Sequence, residues 1–219
     1  MTQLQFFQYG SVEVEWLKSR DASLGAVIDQ IGHIERSVTP DLFTALVSSI
    51  VAQQISAKAN ATVWGRMREL LGIVSPETIS AASVESLQAC GMTMRKAVYI
   101  REVAELVASG ELDLENLHQL SDQEVCDQLV QIRGIGVWTA EMLLTFSMQR
   151  MNIMSWGDLA IQRGLRMLYR HRKITPALFA KYKRRYSPYA TVASLYLWAI
   201  AGGATNHLSD PAVKAKSDK

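Results

Sequence analysis

The chain has 219 residues, enough for one or two compact domains, and its 48% hydrophobic and 20% charged content describes a folded rather than a disordered protein. No apolar run is long enough to span a bilayer, and the N-terminus lacks the charged start and apolar core of a signal peptide. The net charge is only +2, and the two cysteines, Cys90 and Cys126, are too few for a four-cysteine iron–sulfur cluster and suit a reducing compartment.

Helical periods dominate in chain order. Thr39-Pro40 marks a helix start, and Leu42 to Ile55 carries apolar residues at three- and four-residue spacing. Thr62 to Leu71 does the same and stops at Gly72, while Pro76 and Ser83 open two more helices. Arg95 to Ala108 follows a loop at Gly91 and ends near Gly110. Ser121 and Glu124 have capping-box spacing and open a helix to Gln131. Gly134 and Gly136 break it, and an apolar helical pattern resumes from Val137 to Met148. Asp158 precedes the next helix, with Arg170 and His171 in its last turn. Thr175-Pro176 opens a helix to about Arg185, and Pro188 opens one that ends at Gly202-Gly203. The tail after His207 is polar and lysine-rich, the composition of a frayed end. No alternating strand pattern and no repeat is present, so the expected fold is all-α.

Charge is distributed unevenly. From Leu159 to Gly203 there is no Asp or Glu, against nine Arg and Lys residues. Such a segment is either a phosphate-binding surface or a solvated basic face.

Two stretches can carry chemistry. The glycines of Arg133-Gly134-Ile135-Gly136-Val137 put exposed main-chain N–H groups beside a helix start, where free donors and the macrodipole favour an anion. The plainer reading is an αα-turn with glycines at a C-cap. Asp158 stands after a break and before a helix, either as an N-cap or as a carboxylate that a helix N-terminus keeps ionised.

Together these stretches resemble the helix-hairpin-helix superfamily of DNA base-excision glycosylases, whose pattern is a Gly-x-Gly hairpin followed by an Asp. Val51-Ala52-Gln53-Gln54-Ile55-Ser56, Gly91-Met92-Thr93-Met94-Arg95-Lys96-Ala97 and Ser187-Pro188-Tyr189-Ala190 to Trp198 also resemble family segments. The likeness runs from about Leu24 to Gly203 and is closest to the alkylated-base branch, the DNA-3-methyladenine glycosylase II family. It implies a two-lobed fold without an iron–sulfur cluster. A central helical barrel at 40–148 would carry the hairpin, a second lobe at 1–39 plus 149–210 would carry Asp158, and 211–219 would be a flexible tail.

The resemblance implies a monofunctional glycosylase that hydrolyses the N-glycosidic bond of alkylated purines in base excision repair. 3-Methyladenine is the central substrate and 7-methylguanine a further candidate. Asp158 would stabilise positive charge on the sugar. Trp138, Trp198 and Met142 would line the base pocket, their alternative being core packing. Gly134, Gly136, Val137 and Thr139 would hold the duplex backbone. Gln53, Gln54 and Met92 would serve at the gap left by the extruded base, where Met92 is otherwise core. Bifunctional relatives place a Schiff-base lysine where this chain has Trp138, and no lysine occurs from Ala97 through Arg172. No cofactor is implied, although the family hairpin often holds Na+ or K+ on main-chain carbonyls, here those of Val130, Ile132 and Ile135. The expected partner is double-stranded DNA containing alkylated bases, met by a monomer with no membrane association. The location would be cytoplasmic and nucleoid-associated in a bacterium, or nuclear in a eukaryote. The alternatives are a glycosylase for hypoxanthine, uracil or mismatch bases, and a non-catalytic helix-hairpin-helix protein that binds damaged DNA.

Overall fold

A computed structural model of the chain describes residues 4–212. In chain order its elements are β1 (Gln5–Phe6), α1 (Ser11–Arg20), α2 (Ala22–Ile31), β2 (Ser37–Val38), α3 (Leu42–Ala52), α4 (Ala57–Leu71), α5 (Pro76–Ala81), α6 (Val84–Ala89), α7 (Met94–Ala108), α8 (Asp122–Leu129), α9 (Val137–Phe146), α10 (Leu159–Tyr169), α11 (Pro176–Tyr186) and α12 (Ala190–Ala201), with a 3-10 turn at Asn116–Gln119. They form two compact units. One is Thr39–Met148; the other joins the described residues up to Val38 to those from Gln149 onward.

In the unit Thr39–Met148, the core is built on α3 and α7. Leu46, Val47, Ile50 and Val51 of α3 are buried, as are Ala97, Ile100, Val103 and Ala104 of α7. Both sets follow the three- and four-residue spacing that puts one helix face inward. Side-chain caps mark the helix starts. Asp41, Ser56, Ser75, Ser83, Thr93 and Ser121 each accept a hydrogen bond from a first-turn N–H.

In the other unit α12 is central, with every residue from Ala190 to Leu197 buried. It packs closely on α10 because Gly164 has no side chain: a Cβ there would lie 2.4 Å from the Leu197 carbonyl oxygen. A polar network ties α2, α10 and α11 together. Asp21 caps α2 by accepting from Leu24 N at 3.0 Å. Its other carboxylate oxygen accepts from Tyr169 Oη at 2.7 Å and from Arg185 Nη1 at 2.5 Å. Burial, and the Tyr186 hydroxyl beside it, push the Tyr169 phenol far above its ordinary range, so it stays a neutral donor.

Several boundaries differ from the sequence-based expectation. The chain does pair briefly as sheet, Gln5 with Val38 and Phe6 with Ser37, antiparallel; two-residue strands are too short to show alternation. α1 and α2 were not foreseen; α1 buries only Leu17 and so lacks an apolar stripe, whereas α2 buries Leu24, Val27 and Ile28. α3 starts after its cap Asp41 rather than at Thr39-Pro40. It also ends at Ala52, and α4 begins at Ala57, because Ser56 caps it. α12 begins at Ala190 after its N-cap Tyr189, so Pro188 lies outside the helix. Arg170 is the left-handed C-cap of α10 rather than part of its last turn. Residues 213–219 of the expected tail lie outside the described residues.

Candidate nucleic-acid interface and catalytic carboxylate

In the unit Thr39–Met148 the hairpin is a tight turn between α8 and α9. Ile132 N donates to Leu129 O and Ile135 N donates to Ile132 O, at 3.1 and 3.0 Å. Gly134 sits at φ +90°, a conformation that costs little only for glycine. Its missing Cβ would lie 2.5 Å from a ring carbon of Tyr99. Gly136 differs: its φ is −98°, and a Cβ there would meet nothing within 4 Å. The expectation that both glycines serve the turn therefore holds for Gly134 alone.

Gly136 is the N-cap of α9 and supplies no side-chain acceptor to the first-turn N–H groups. Six helices of this unit receive such an acceptor, so α9 begins with donors and positive dipole facing outward. Val137 and Trp138 beside that start are 60% and 47% exposed. Thr139 is buried, so any contact it makes with an external phosphate runs through its backbone, not its hydroxyl. Met142 lies one turn beyond Trp138 on the same helix face and is half-buried.

The remaining expected gap residues separate. The Gln53 side chain is turned inward to the hairpin, Nε2 donating to Gly134 O at 2.7 Å, so it does not reach outward. Gln54 is exposed and holds a left-handed φ of 57°. Met92 is buried, which assigns it to the core; the exposed methionine nearby is Met94, at the start of α7. A cleft of about 310 Å³ lies here, lined by Gln53, Gln54, Thr93, Arg95, Lys96 and Gly134, among others. No carboxylate lines it.

In the other unit Asp158 is the N-cap of α10. Its Oδ1 accepts from Ala160 N and Ile161 N, both at 2.9 Å, which fixes the carboxylate plane. Asp158 is 7% exposed, whereas the next residue, Leu159, is 78% exposed. Trp156 in the preceding turn packs edge-on against Phe179, ring centroids 5.2 Å apart, and its carbonyl accepts from Gln162 Nε2 at 2.7 Å. The turn is thus braced by Trp156. Trp198 is half-buried on α12, next to the Leu197 carbonyl that meets Gly164.

Of the basic segment, Arg166 is committed to a bidentate pair with Asp210 and Arg185 to Asp21. Cys90 and Cys126 form no disulfide. Among the described residues no group of three or more His, Cys, Asp or Glu side chains can hold a metal ion, and no helix is long and apolar enough to cross a membrane.

A hairpin with an uncapped helix start, followed by a carboxylate fixed at the start of α10, is the arrangement of a base-excision repair fold. The model of the HhH-GPD superfamily of base excision DNA repair proteins matches residues 47–188. The chain belongs to that superfamily.

Within it, the similar proteins include 3-methyladenine glycosylases. DNA-3-methyladenine glycosylase 1 of Schizosaccharomyces pombe is 34% identical over 161 residues, covering 71% of each chain. The crystal structure of a DNA-3-methyladenine glycosidase from Bacillus halodurans superposes with a TM-score of 0.83 at 38% identity, covering 93% of this chain and 95% of that one. The S. pombe 3-methyladenine DNA glycosylase in complex with abasic DNA gives 0.77 at 30% identity, covering 88% and 97%.

Sequence reasoning did not tie Lys96, Tyr99 and Glu102 to the hairpin, which Tyr99 and Glu102 meet directly and Lys96 through Gln53. Their signal was a three-residue spacing along one helix, legible only once the hairpin's position against α7 was known.

Proposed function

We propose that this chain is a monofunctional DNA glycosylase that removes alkylated purines from double-stranded DNA in base excision repair, with 3-methyladenine foremost and 7-methylguanine next. The observation that carries the reading is Asp158, a carboxylate held at the start of α10 by two backbone N–H groups. The chemistry is a displacement by water. The bond between C1′ and the base nitrogen breaks, and its electron pair leaves with the base, neutralising the charge that alkylation had placed on the ring. Positive charge develops on the sugar, and a fixed carboxylate stabilises it without reorganisation. Water then bonds to C1′ and yields a proton that Asp158 can take. A charged base is already a good leaving group, so one carboxylate suffices.

The unit Thr39–Met148 supplies the grip. Main-chain N–H groups at the start of α9 suit a phosphate and carry no sequence information. There Trp138, with Met142 one turn on, offers aromatic and soft surface to a cationic purine, an attraction of roughly 0.5–2 kcal/mol, and Trp198 offers an aromatic ring in the other unit. Gln54, exposed beside the hairpin cleft, is the residue retained for the gap left by an extruded base. Trp138 stands where a Schiff-base mechanism needs an amine, and Lys96, the nearest lysine before it, is committed to two carbonyls.

The hairpin also suits a monovalent cation. Ile132 O accepts one turn hydrogen bond, while Val130 O and Ile135 O accept none of the backbone bonds outside helices. These three carbonyls would hold Na+ or K+, which would stiffen the hairpin. The protein would act as a monomer wherever the genome lies, nucleoid or nucleus.

The test is base release from methylated duplex compared with hypoxanthine- and uracil-containing duplexes. Release of methylated purines with an intact abasic site left behind is expected. Preference for a neutral base would replace the substrate assignment, and binding without release would replace the enzyme assignment.

A further inference from the structure

We infer that α7 is the splint that sets the hairpin, and that Lys96 is its positioning residue, acting through Gln53. Three residues of α7 at three-residue spacing, Lys96, Tyr99 and Glu102, share one helix face. Two of them meet the hairpin directly, and Lys96 reaches it through Gln53. The Glu102 carboxylate takes both Arg133 Nε, at 3.0 Å, and the Arg133 Nη2 group. The Tyr99 ring lies where a Gly134 side chain would be, and the Arg133 guanidinium sits over it at 5.8 Å. Lys96 reaches Gly134 by one intermediate: its Nζ donates to Gln53 O at 2.6 Å and to Val51 O at 2.8 Å, and Gln53 Nε2 donates to Gly134 O at 2.7 Å.

This use of a lysine is specific. α3 ends at Ala52 without a glycine cap, so its last carbonyls need donors from elsewhere. An ammonium has three N–H groups and no acceptor, which suits it to collect two carbonyls at once. Among the described residues Lys96 has no carboxylate partner. Partial burial lowers its pKa, and its N–H groups serve carbonyls of the chain rather than an ion pair. With Gln53 O held, the Gln53 backbone is fixed and its amide N–H is aimed at Gly134 O. The relay thereby orients the peptide unit that precedes the outward-facing donors of α9.

The proposal rests on the glycosylase reading for what the hairpin grips, namely duplex phosphate, and the test separates the two. Lys96→Met and Gln53→Leu should each weaken binding to undamaged duplex by about three- to tenfold, the range expected for losing one or two hydrogen bonds. KM for alkylated DNA should rise by the same factor while kcat stays within about twofold, because Asp158 is untouched. The double variant should be no weaker than the worse single by more than about twofold, since both break one relay. Lys96→Arg, which keeps charge and donors, should recover most of the affinity. Independent, multiplying losses in the double variant would overturn the relay. So would a fall in kcat at unchanged duplex affinity. If Lys96→Met does not fold, Gln53→Leu alone decides, read by duplex affinity and by the shift of the Gly134 amide resonance; unchanged values in both overturn the proposal. A wild-type chain that binds duplex through this relay but releases no alkylated base would sink the glycosylase reading and leave the splint standing.

Discussion

The two hairpin glycines should respond oppositely to the same substitution. In Gly134→Ala the new Cβ lies 2.5 Å from Tyr99 Cδ2 and 3.2 Å from two further ring carbons, at a φ of +90°. A Cβ in the left-handed region costs about 1–2 kcal/mol, and overpacking against a held ring adds about 1–3 kcal/mol. The ring cannot swing away freely, because the Arg133 guanidinium lies over it. The sum is a loss of roughly 2–5 kcal/mol, which for a chain of this size lowers Tm by roughly 4–20 °C. In Gly136→Ala the φ of −98° is ordinary and the Cβ meets no protein atom within 4 Å, so Tm should stay within about 1 °C. A methyl group would nevertheless stand at the uncapped start of α9, where a phosphate must approach closely. Gly136→Ala should therefore weaken binding to plain duplex at least about fivefold while remaining fully folded. Thermal melts paired with fluorescence anisotropy on undamaged duplex separate the two effects. Stable Gly136→Ala protein with wild-type affinity would refute the placement of the phosphate at the start of α9. A Gly134→Ala protein as stable as wild type would refute the packing of Tyr99 beneath the turn.

Three other perturbations are informative. Asp158→Asn should keep the α10 cap, since Asn caps about as well as Asp, so Tm should change little while single-turnover base release falls by about a hundredfold or more; near-normal turnover would reduce Asp158 to a cap. Gly164→Ala should force α10 and α12 apart, because its Cβ would lie 2.4 Å from Leu197 O and 2.9 Å from Leu197 C, lowering stability by about 1–3 kcal/mol and disturbing Trp198; an unchanged melt would contradict the close helix crossing. Arg166, bidentate on Asp210, holds that carboxyl below its ordinary value of 3.8. A depressed folded value means the stabilisation is complete above the unfolded value and is lost as pH falls through the folded one, so wild type and Asp210→Asn should differ in Tm at pH 6, and the difference should shrink as pH falls below 3.8 and vanish below the folded value. A Tm difference that does not shrink as pH falls below 3.8 would assign the effect to packing.

Much of the molecule was legible locally. Caps and breakers act within a few residues, so Ser121 with Glu124, Thr175-Pro176 and the Gly134 break read directly as helix ends. Asp158 could be read as a cap for the same reason, and the hairpin-to-Asp pattern together with three further segments placed the chain in its superfamily. Long-range packing was not legible, because identical side chains serve different ends according to what lies against them. Met92 and Met94 are chemically equal and two positions apart, yet one is core and the other is 47% exposed. Gly134 and Gly136 look equivalent in the sequence. Only the Tyr99 ring under the first and the open space around the second distinguish a glycine required by the fold from one available to a ligand. Gln53 turned inward rather than outward because Gly134 O, distant in sequence, offered an acceptor and Lys96 fixed the backbone behind it. Sequence alone determined where helices begin and which chemical groups are present. Tertiary structure decided which of those groups face the core, the hairpin or the solvent, since burial and hydrogen-bond partnership depend on neighbours the chain brings together only when folded.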